Sequence, residues 1–203
     1  MIIASDLLRA ALVCIAKGEQ TKKHPGLTGV HITRQHLEAT NGHVAVRMEL
    51  TEENSIFSDD DATDTDLVIQ FWGNIPEKAV MTEIQLGEKA RAVHFKEEDK
   101  IEGLTHLEII HGRFPDLNRI IPTEKQNVVP PLLAKYLAYP AKMFDEAMAV
   151  KIEPSGMESG CLFRFDADVN KLYGNPVFVV MPCRENALEI GEQKVRELEA
   201  DRD

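Results

Sequence analysis

The chain has 203 residues, and the 43% that are hydrophobic can form a real core, which excludes a wholly disordered chain. The sum of 23 basic and 34 acidic residues gives a formal net charge of −11, so a generally basic nucleic-acid coat is excluded and any DNA contact must be local. No apolar run approaches the roughly 20 residues of a membrane span, and no secretion signal is recognisable. We therefore expect a cytoplasmic protein without membrane contact, and an odd count of cysteines fits reduced thiols.

The first predicted elements are a strand and a helix. A short strand is predicted at residues 1–4, and Ser5 can cap a helix over residues 6–17 that ends near Gly18. Residues 21–26 predict a loop. The apolar residues that recur at helical spacing are Leu7, Leu8, Ala11, Leu12 and Ile15.

A hairpin and an acidic segment follow. Strands are predicted at residues 28–33, 36–40 and 43–50, with the turn at Asn41 and Gly42, because both residue types tolerate positive φ. Residues 51–66 carry five aspartates and few core residues, so we interpret them as a solvated excursion. Carboxylates at this density can bind calcium, but the segment lacks the glycine and closing glutamate of an EF-hand loop.

The remaining elements are again mostly strands. A second helix is predicted at about residues 131–147, and Pro140 should kink or split it. The charged tail from residue 185 allows a weak final helix. Strands are predicted at residues 67–71, 81–86, 90–96, 104–110, 149–153, 161–167 and 176–182. The fold class is therefore α+β, with helix-plus-antiparallel-strand units.

No pattern in the chain indicates catalysis or a metal site. The sequence has no G-x-S-x-G, H-E-x-x-H, P-loop or C-x-x-C motif. His31, His36 and His43 lie near one another in the chain but lack the short spacing of metal ligands, and Cys14 and Cys161 suit core positions. We expect no metal, no cofactor and no enzymatic activity, with a small α+β hydrolase as an alternative.

Three short segments combine residues in unusual ways. They read ATNGHVA at residues 39–45, GRFPDLNRIIP at residues 112–122 and VFVVMPCR at residues 177–184. Taken singly, each is also compatible with a hairpin, a sheet-exit turn or an edge strand stopped by proline. Together, and in this order, they resemble three motifs of the bacterial-type DNA sliding clamp, the DNA polymerase III beta subunit family. Those motifs are A-T-D-G-H-R, G-[RK]-F-P-D-Y-x-x-[IV]-[IL]-P and Y-V-V-M-P-M-R.

The resemblance implies a DNA-clamp-like fold with helices on one face of curved sheets. It also implies an apolar groove, built from the three motifs, for the short linear peptides of polymerases and the clamp loader. Packing of one half of the chain on the other is the alternative role for the same residues. Carried over position by position, the groove would be lined by Thr40, Gly42, His43, Ala45, Pro115, Ile120, Val179, Met181, Pro182, Cys183 and Arg184.

The resemblance further implies sequence-independent contact between helix cations and the phosphates of duplex DNA. The basic positions in and after the two predicted helices are sparse, and they are equally compatible with solvated side chains. They are Arg9, Lys17, Lys22, Lys23, Lys135 and Lys142.

The chain departs from the family in being shorter. We expect a clamp-like domain at residues 1–122, a C-terminal half-domain at residues 123–185 and a charged tail at residues 186–203. Alternatively, residues 67–122 are extra strands inserted into a single domain. The hypothesis is a processivity factor, from a phage or mobile element, that forms a homo-oligomer around DNA and tethers a polymerase. The alternative is a non-ring adaptor or decoy that binds clamp-binding peptides.

Overall fold

The computed structural model describes residues 1–58, 65–97, 100–144, 146–183, 189–190, 192–193 and 196. Within them, the strands are β1 Ile2–Ala4, β2 Val30–Thr33, β3 His36–Thr40, β4 Val44–Glu49, β5 Ser55–Ile56, β6 Asp66–Trp72, β7 Met81–Gln85, β8 Arg91–Glu97, β9 Lys100–Ile109, β10 Val150–Glu153, β11 Cys161–Phe165 and β12 Val177–Val180. The α-helices are α1 Ser5–Val13, α2 Gln20–Lys23, α3 Ala134–Leu137, α4 Tyr139–Met143 and α5 Ala167–Leu172. Short 3-10 helices lie at Pro25–Leu27 and Leu117–Arg119.

All twelve described strands form one sheet, in the order β10-β11-β12-β4-β3-β2-β6-β9-β8-β7-β1-β5. Every described pairing is antiparallel, as the hairpin-rich sequence predicts. The last of the described strands, β12, pairs with β4, so the C-terminal strands continue the N-terminal sheet. The predicted α+β, clamp-like fold class is confirmed, whereas the boundary between residues 122 and 123 stays a prediction.

The main core lies on the face of the sheet that carries the helices. Helix α1 packs on β2, β3 and β4 and against α4. Its buried side includes Leu7, Leu8 and Ala11, as the apolar spacing predicts. We call this side of the sheet the helix face and the opposite side the outer face.

Helix α1 differs from the prediction at both ends. It starts at Ser5 with Ala4 as its N-cap, and the Ser5 hydroxyl is hydrogen-bonded to Thr82 Oγ1 at 2.8 Å. The predicted cap is therefore wrong, because a partner on β7 takes the hydroxyl. The helix ends at Val13, and α2 occupies part of the predicted loop at residues 21–26.

A loop at residues 73–80 joins β6 to β7, where the sequence leaves no room for a helix. Arg9 of α1 holds this loop through hydrogen bonds of 2.6 Å to the Pro76 carbonyl and 3.0 Å to the Ala79 carbonyl. The same guanidinium pairs with Asp6. Arg9 therefore fixes the connection between the two strands to the first helix.

A buried polar chain runs beneath the same region. His94 is fully buried, with Nδ1 2.9 Å from Thr82 Oγ1 and Nε2 2.8 Å from Thr105 Oγ1. Burial, together with the nearby Arg9, lowers the pKa of His94. The neutral imidazole therefore satisfies the buried hydroxyls on both sides of it.

The second predicted helix forms as two short pieces, α3 and α4, with Pro140 in the first turn of α4. This is the split that proline predicts. Helix α5 was not predicted, since residues 161–167 read as one strand. Its N-cap is Asp166, whose side chain accepts a hydrogen bond of 3.0 Å from the Val169 amide.

The acidic excursion is partly ordered against the sheet. Its residues Ser55 and Ile56 form β5, which pairs with β1 and was not predicted. Residues 59–64 lie outside the described residues, as does most of the charged tail. The tail residues that the structure describes, at 189–190, 192–193 and 196, are helical, in agreement with the predicted weak final helix. No described helix combines the length and apolar character that crossing a bilayer requires.

Candidate functional site

The outer face of the sheet is defined by alternation along β4 and β12. Val44, Val46 and Phe178 belong to the main core under the helices. Because successive strand residues point to opposite faces, Ala45 and Val179 point outward. They are paired across the two strands and are only 3% and 1% exposed, so this part of the outer face is covered.

The segment at residues 112–122, which we call the connector, crosses this outer face. Arg47 of β4 donates from Nη1 to Asn118 Oδ1 at 2.8 Å. The His31 ring of β2 stacks on Phe114 with centroids 4.5 Å apart. Leu117, which lies between Phe114 and Asn118 in the chain, is 1% exposed. The connector therefore runs over β2, β3 and β4 towards β12.

A line of charges lies beneath the connector. Glu38, 5% exposed, is bound by both Arg47 and His31, and the other His31 nitrogen is 2.6 Å from Asp66 Oδ1. Burial by itself lowers the pKa of His31, but the hydrogen bonds to Glu38 and Asp66 outweigh it and raise the pKa. Burial likewise raises the pKa of Glu38, but the bonds from His31 and Arg47 dominate and lower it.

Protonated His31 therefore stabilises the fold. Its contribution is complete below the unfolded-state pKa of about 6.5 and is lost as pH rises through the raised folded-state pKa. We expect the free energy of unfolding to differ most between wild type and His31→Gln at pH 5.5, and less at pH 9, in urea titrations. His106→Gln, at an exposed position on β9, is the control and should show no such trend. An equal difference at both pH values would contradict the assignment.

Two cavities flank the connector. The larger, of about 1100 Å³, is lined by the charged groups under its first half. The smaller, of about 430 Å³, lies at its end and is lined by Ile120, Ile121 and Pro122 together with Met181 beyond β12. Asn118 lines both. The smaller cavity, which we call the terminal pocket, is lined by these four apolar residues together with polar and charged ones.

Several predicted groove residues lie around the terminal pocket, where the connector meets the end of β12. Ile120 and Met181 share the terminal pocket. The Met181 amide donates to the His43 carbonyl at 2.8 Å, which extends the ladder between β12 and β4. Thr40 is buried, and its hydroxyl donates to the Val44 carbonyl at 2.6 Å, so it shapes the hairpin turn.

The other predicted groove residues lie elsewhere. Pro115 lines the larger cavity. Gly42 is exposed with φ +83° at the turn, and His43 stacks on Tyr136 of α3 with centroids 5.4 Å apart, on the helix side of the sheet. Cys183 donates its amide to the Pro131 carbonyl at 2.8 Å.

Pro182 and Arg184 are the remaining positions of the predicted groove. Pro182, next to Cys183, is half-buried, and Arg184 falls outside the described residues. Pro182 is not among the described residues that line the two cavities.

The terminal pocket also uses residues that the sequence did not single out. Gly160, Ser155 and Gln126 line it, from the loop before β11 and the segment after the connector. A Cβ on Gly160 would lie 2.4 Å from Val179 Cγ1 and 3.4 Å from Met181 Sδ. A glycine is thus required where the two strands approach. The glycines of the loop at residues 154–160 were the available signal.

The predicted DNA-contacting residues fall into two groups. Arg9 donates hydrogen bonds to two carbonyls and pairs with Asp6, so its charge stabilises the folded structure. The side chain of Lys23 lies outside the description. The exposed cations are Lys17, Lys22, Lys135 and Lys142.

Two of these lysines lie over aromatic rings on α3 and α4. Lys135 Nζ is 4.6 Å from the Tyr136 ring centroid, and Lys142 Nζ is 5.7 Å from that of Tyr139. Because α4 packs against α1, these two cations belong to the helix face.

The histidines and cysteines were the other candidates for chemistry. Among the described residues, no group of three His, Cys, Asp or Glu side chains could hold a metal ion. Cys14 and Cys161 are buried, and burial raises the pKa of both thiols. Neither thiol is therefore activated as a nucleophile.

No family model matches the chain, and no curated protein matches it. Solved structures do. The beta subunit from DNA polymerase of Streptococcus pyogenes superposes with a TM-score of 0.60 at 16% identity, over 91% of this chain and 65% of that one.

Two further matches agree. The sliding clamp from Bacillus subtilis gives a TM-score of 0.58 at 14% identity, over 91% and 64% of the two chains. The DNA polymerase III beta subunit from Pseudomonas aeruginosa, solved bound to griselimycin, gives 0.55 at 14%, over 91% and 65%. This chain thus spans less than two thirds of the length of each. The fold of the chain is that of the DNA polymerase III beta subunits, the bacterial sliding clamps.

Proposed function

We propose that this chain is a non-catalytic, clamp-type processivity factor of the cytoplasm that holds a polymerase or clamp-loader peptide in the terminal pocket and contacts duplex DNA through its helix face. One observation carries the proposal. The connector and the end of β12, which are distant in sequence, meet at one pocket on the outer face. The helices lie on the opposite face. The two partners thereby receive separate surfaces.

The terminal pocket suits a short apolar anchor. Isoleucine, proline and methionine side chains offer an apolar wall, and methionine adapts to differently shaped partners. The serine and glutamine side chains of the lining can hydrogen-bond to the backbone of an extended peptide. The binding energy then comes from a few buried anchors.

The helix face suits mobile contact with DNA. Lys135 and Lys142 lie on this face, and together with Lys17 and Lys22 they form a small set of exposed cations on a chain of net charge −11. Few phosphate contacts give weak, sequence-independent attraction, which permits sliding. A peptide tether on the other face then keeps the polymerase at high effective concentration near the DNA.

The mass in solution tests this function. We expect light scattering to show a stable homo-oligomer, with and without a synthetic peptide that carries a Leu-Phe anchor, and calorimetry to show binding of that peptide. A monomer that binds the peptide would support the adaptor or decoy instead. A chain that binds neither peptide nor DNA would contradict the proposal.

Charge reversal on the helix face tests the DNA surface. We expect Lys135→Glu with Lys142→Glu to reduce DNA affinity at least tenfold at low salt. The slope of log affinity against log salt concentration should fall by the amount expected for the loss of about two phosphate contacts. Fluorescence anisotropy on a labelled duplex measures both. The matched control is Lys89→Glu with Lys100→Glu, which makes the same charge change at exposed positions around β8. Equal effects of the two double variants would exclude a specific role for α3 and α4.

A further inference from the structure

Three cations converge on one carboxylate of the C-terminal strands. Glu153 of β10 is 2.7 Å from Lys125 Nζ, 3.1 Å from Arg164 Nε and 3.6 Å from Lys151 Nζ. The hydrogen bonds from Lys125 and Arg164 lower the pKa of Glu153 to about 2, so the carboxylate is ionised at neutral pH. One negative charge therefore faces three positive charges.

The cations remain open to solvent, although the carboxylate does not. The side chains of Lys125, Lys151 and Arg164 are 66%, 77% and 50% exposed, whereas that of Glu153 is 8% exposed. Arg164 uses only Nε in its bond to Glu153, so its terminal nitrogens can turn to another acceptor. We call these four residues the cation cluster, and it presents a local excess of two positive charges.

The cation cluster borders the terminal pocket on the outer face. Phe163 belongs to the main core, so its neighbours in β11, Leu162 and Arg164, point outward. Lys151 pairs with Arg164 across the two strands, and Glu153 pairs with Leu162. All of these side chains thus share the face that carries the pocket.

The chain connectivity gives the same location. Gln126 lines the pocket next to Lys125 in the sequence, and its amide donates to the Pro154 carbonyl at 3.0 Å, directly after Glu153. A peptide whose anchor occupies the pocket can therefore reach the cluster within a few residues, since each extended residue spans about 3.3 Å.

We propose that the partner of the terminal pocket is an acidic peptide, whose apolar anchor fills the pocket while carboxylates beside the anchor bind the cation cluster. This inference rests on the proposed function, because it specifies the ligand of the same pocket. On a chain of net charge −11, most of the surface repels such a peptide. The cluster is therefore expected to attract the peptide and to fix which of its residues enters the pocket.

The charged residues of the pocket lining limit where the carboxylates of the peptide can lie. Arg119, Glu124 and Glu158 also line the pocket. Glu124 follows the connector and Glu158 lies in the loop between β10 and β11, so each disfavours an anion directly beside it. The acidic residues of the peptide are thus expected beyond the pocket lining, at the exposed nitrogens of the cation cluster.

Two synthetic peptides test the inference. Both carry a central Leu-Phe anchor, one flanked on each side by two Asp and the other by two Asn. We expect the wild-type chain to bind the Asp peptide about 5- to 10-fold more tightly at low salt, measured by calorimetry, and the preference to fall as salt is added. Equal affinities would overturn the inference and leave the proposed function standing. Binding of neither peptide would contradict both.

A charge reversal supplies the second measurement. Lys151 makes the longest of the three contacts, so Lys151→Glu leaves Lys125 and Arg164 on Glu153. We expect it to reduce the Asp preference at least threefold, because the reversal leaves two positive and two negative charges in the cluster. The matched control is Lys171→Glu on α5, at the opposite end of β11 and β12, which should leave the preference unchanged. A preference that Lys151→Glu does not alter would exclude the cluster.

Discussion

Replacing Ile120 and Met181 together by alanine should weaken binding of the Leu-Phe peptide at least tenfold. The two side chains come from the connector and from the end of β12, and both line the terminal pocket. Truncation removes apolar contact from both sides of the anchor, and anchors of this kind contribute more than about 1 kcal/mol each. Calorimetry measures the loss, and circular dichroism shows whether the fold is kept.

The control for this variant truncates two apolar side chains that lie away from the pocket. Ile101 and Leu104 on β9 are 60% and 62% exposed. Their joint replacement by alanine removes a similar amount of apolar surface, and we expect it to leave peptide affinity within about twofold of wild type. If the two double variants lose affinity equally, or neither does, the pocket is not the binding site.

Substituting Gly174 with alanine should destabilise the protein by about 3 kcal/mol or more. Gly174 has φ +61°, and a Cβ there would lie 2.1 Å from the Glu49 carbonyl oxygen. Its own carbonyl accepts a 2.6 Å hydrogen bond from the Glu49 amide. The neighbouring atoms belong to the backbone of Glu49, so no side-chain rotation can relieve the clash. The junction between the end of β4 and the start of β12 must therefore shift. Urea unfolding measures the change.

The variant Gly18→Ala measures the cost of a left-handed backbone conformation in the absence of a steric clash. Gly18 has φ +65°, close to that of Gly174, but a Cβ there would meet nothing within 4 Å. The left-handed conformation alone should cost about 1 kcal/mol. The difference between the two variants is then the cost of disturbing the junction, and similar losses in both would show that the junction adds nothing.

The strands and the first helix could be predicted because their signals are local. Alternation places β2, β3 and β4 within a few residues of the prediction, and Gly42 adopts the positive φ that the turn requires. Helix α5 was missed although Asp166 is a suitable cap, because residues 161–167 were interpreted as one strand that extends past the cap. Local patterns thus predicted most elements, and they failed for α5, where a strand and a helix adjoin, and for the short elements α2 and β5, which lie in segments predicted as loop.

The site was less predictable, because its residues meet through pairings that no local pattern encodes. The resemblance identified Ile120 and Met181, which line one pocket, but also His43, which turns to Tyr136 on the helix side. The contribution of Gly160 follows from its position beside Val179 in the folded sheet. Charge alone could not distinguish Arg9, which binds carbonyls within the fold, from the exposed lysines.

The pairing of β12 with β4 affects how the protein is made. Asn175, which precedes β12, donates to a Glu49 side chain 126 residues away. While a ribosome synthesises that stretch, one side of β4 offers unsatisfied amides and carbonyls to any neighbouring chain. Contacts of such separation also form slowly. The nascent protein is therefore most vulnerable to misassembly shortly before its last strand emerges, and a chaperone that shields β4 should raise the yield.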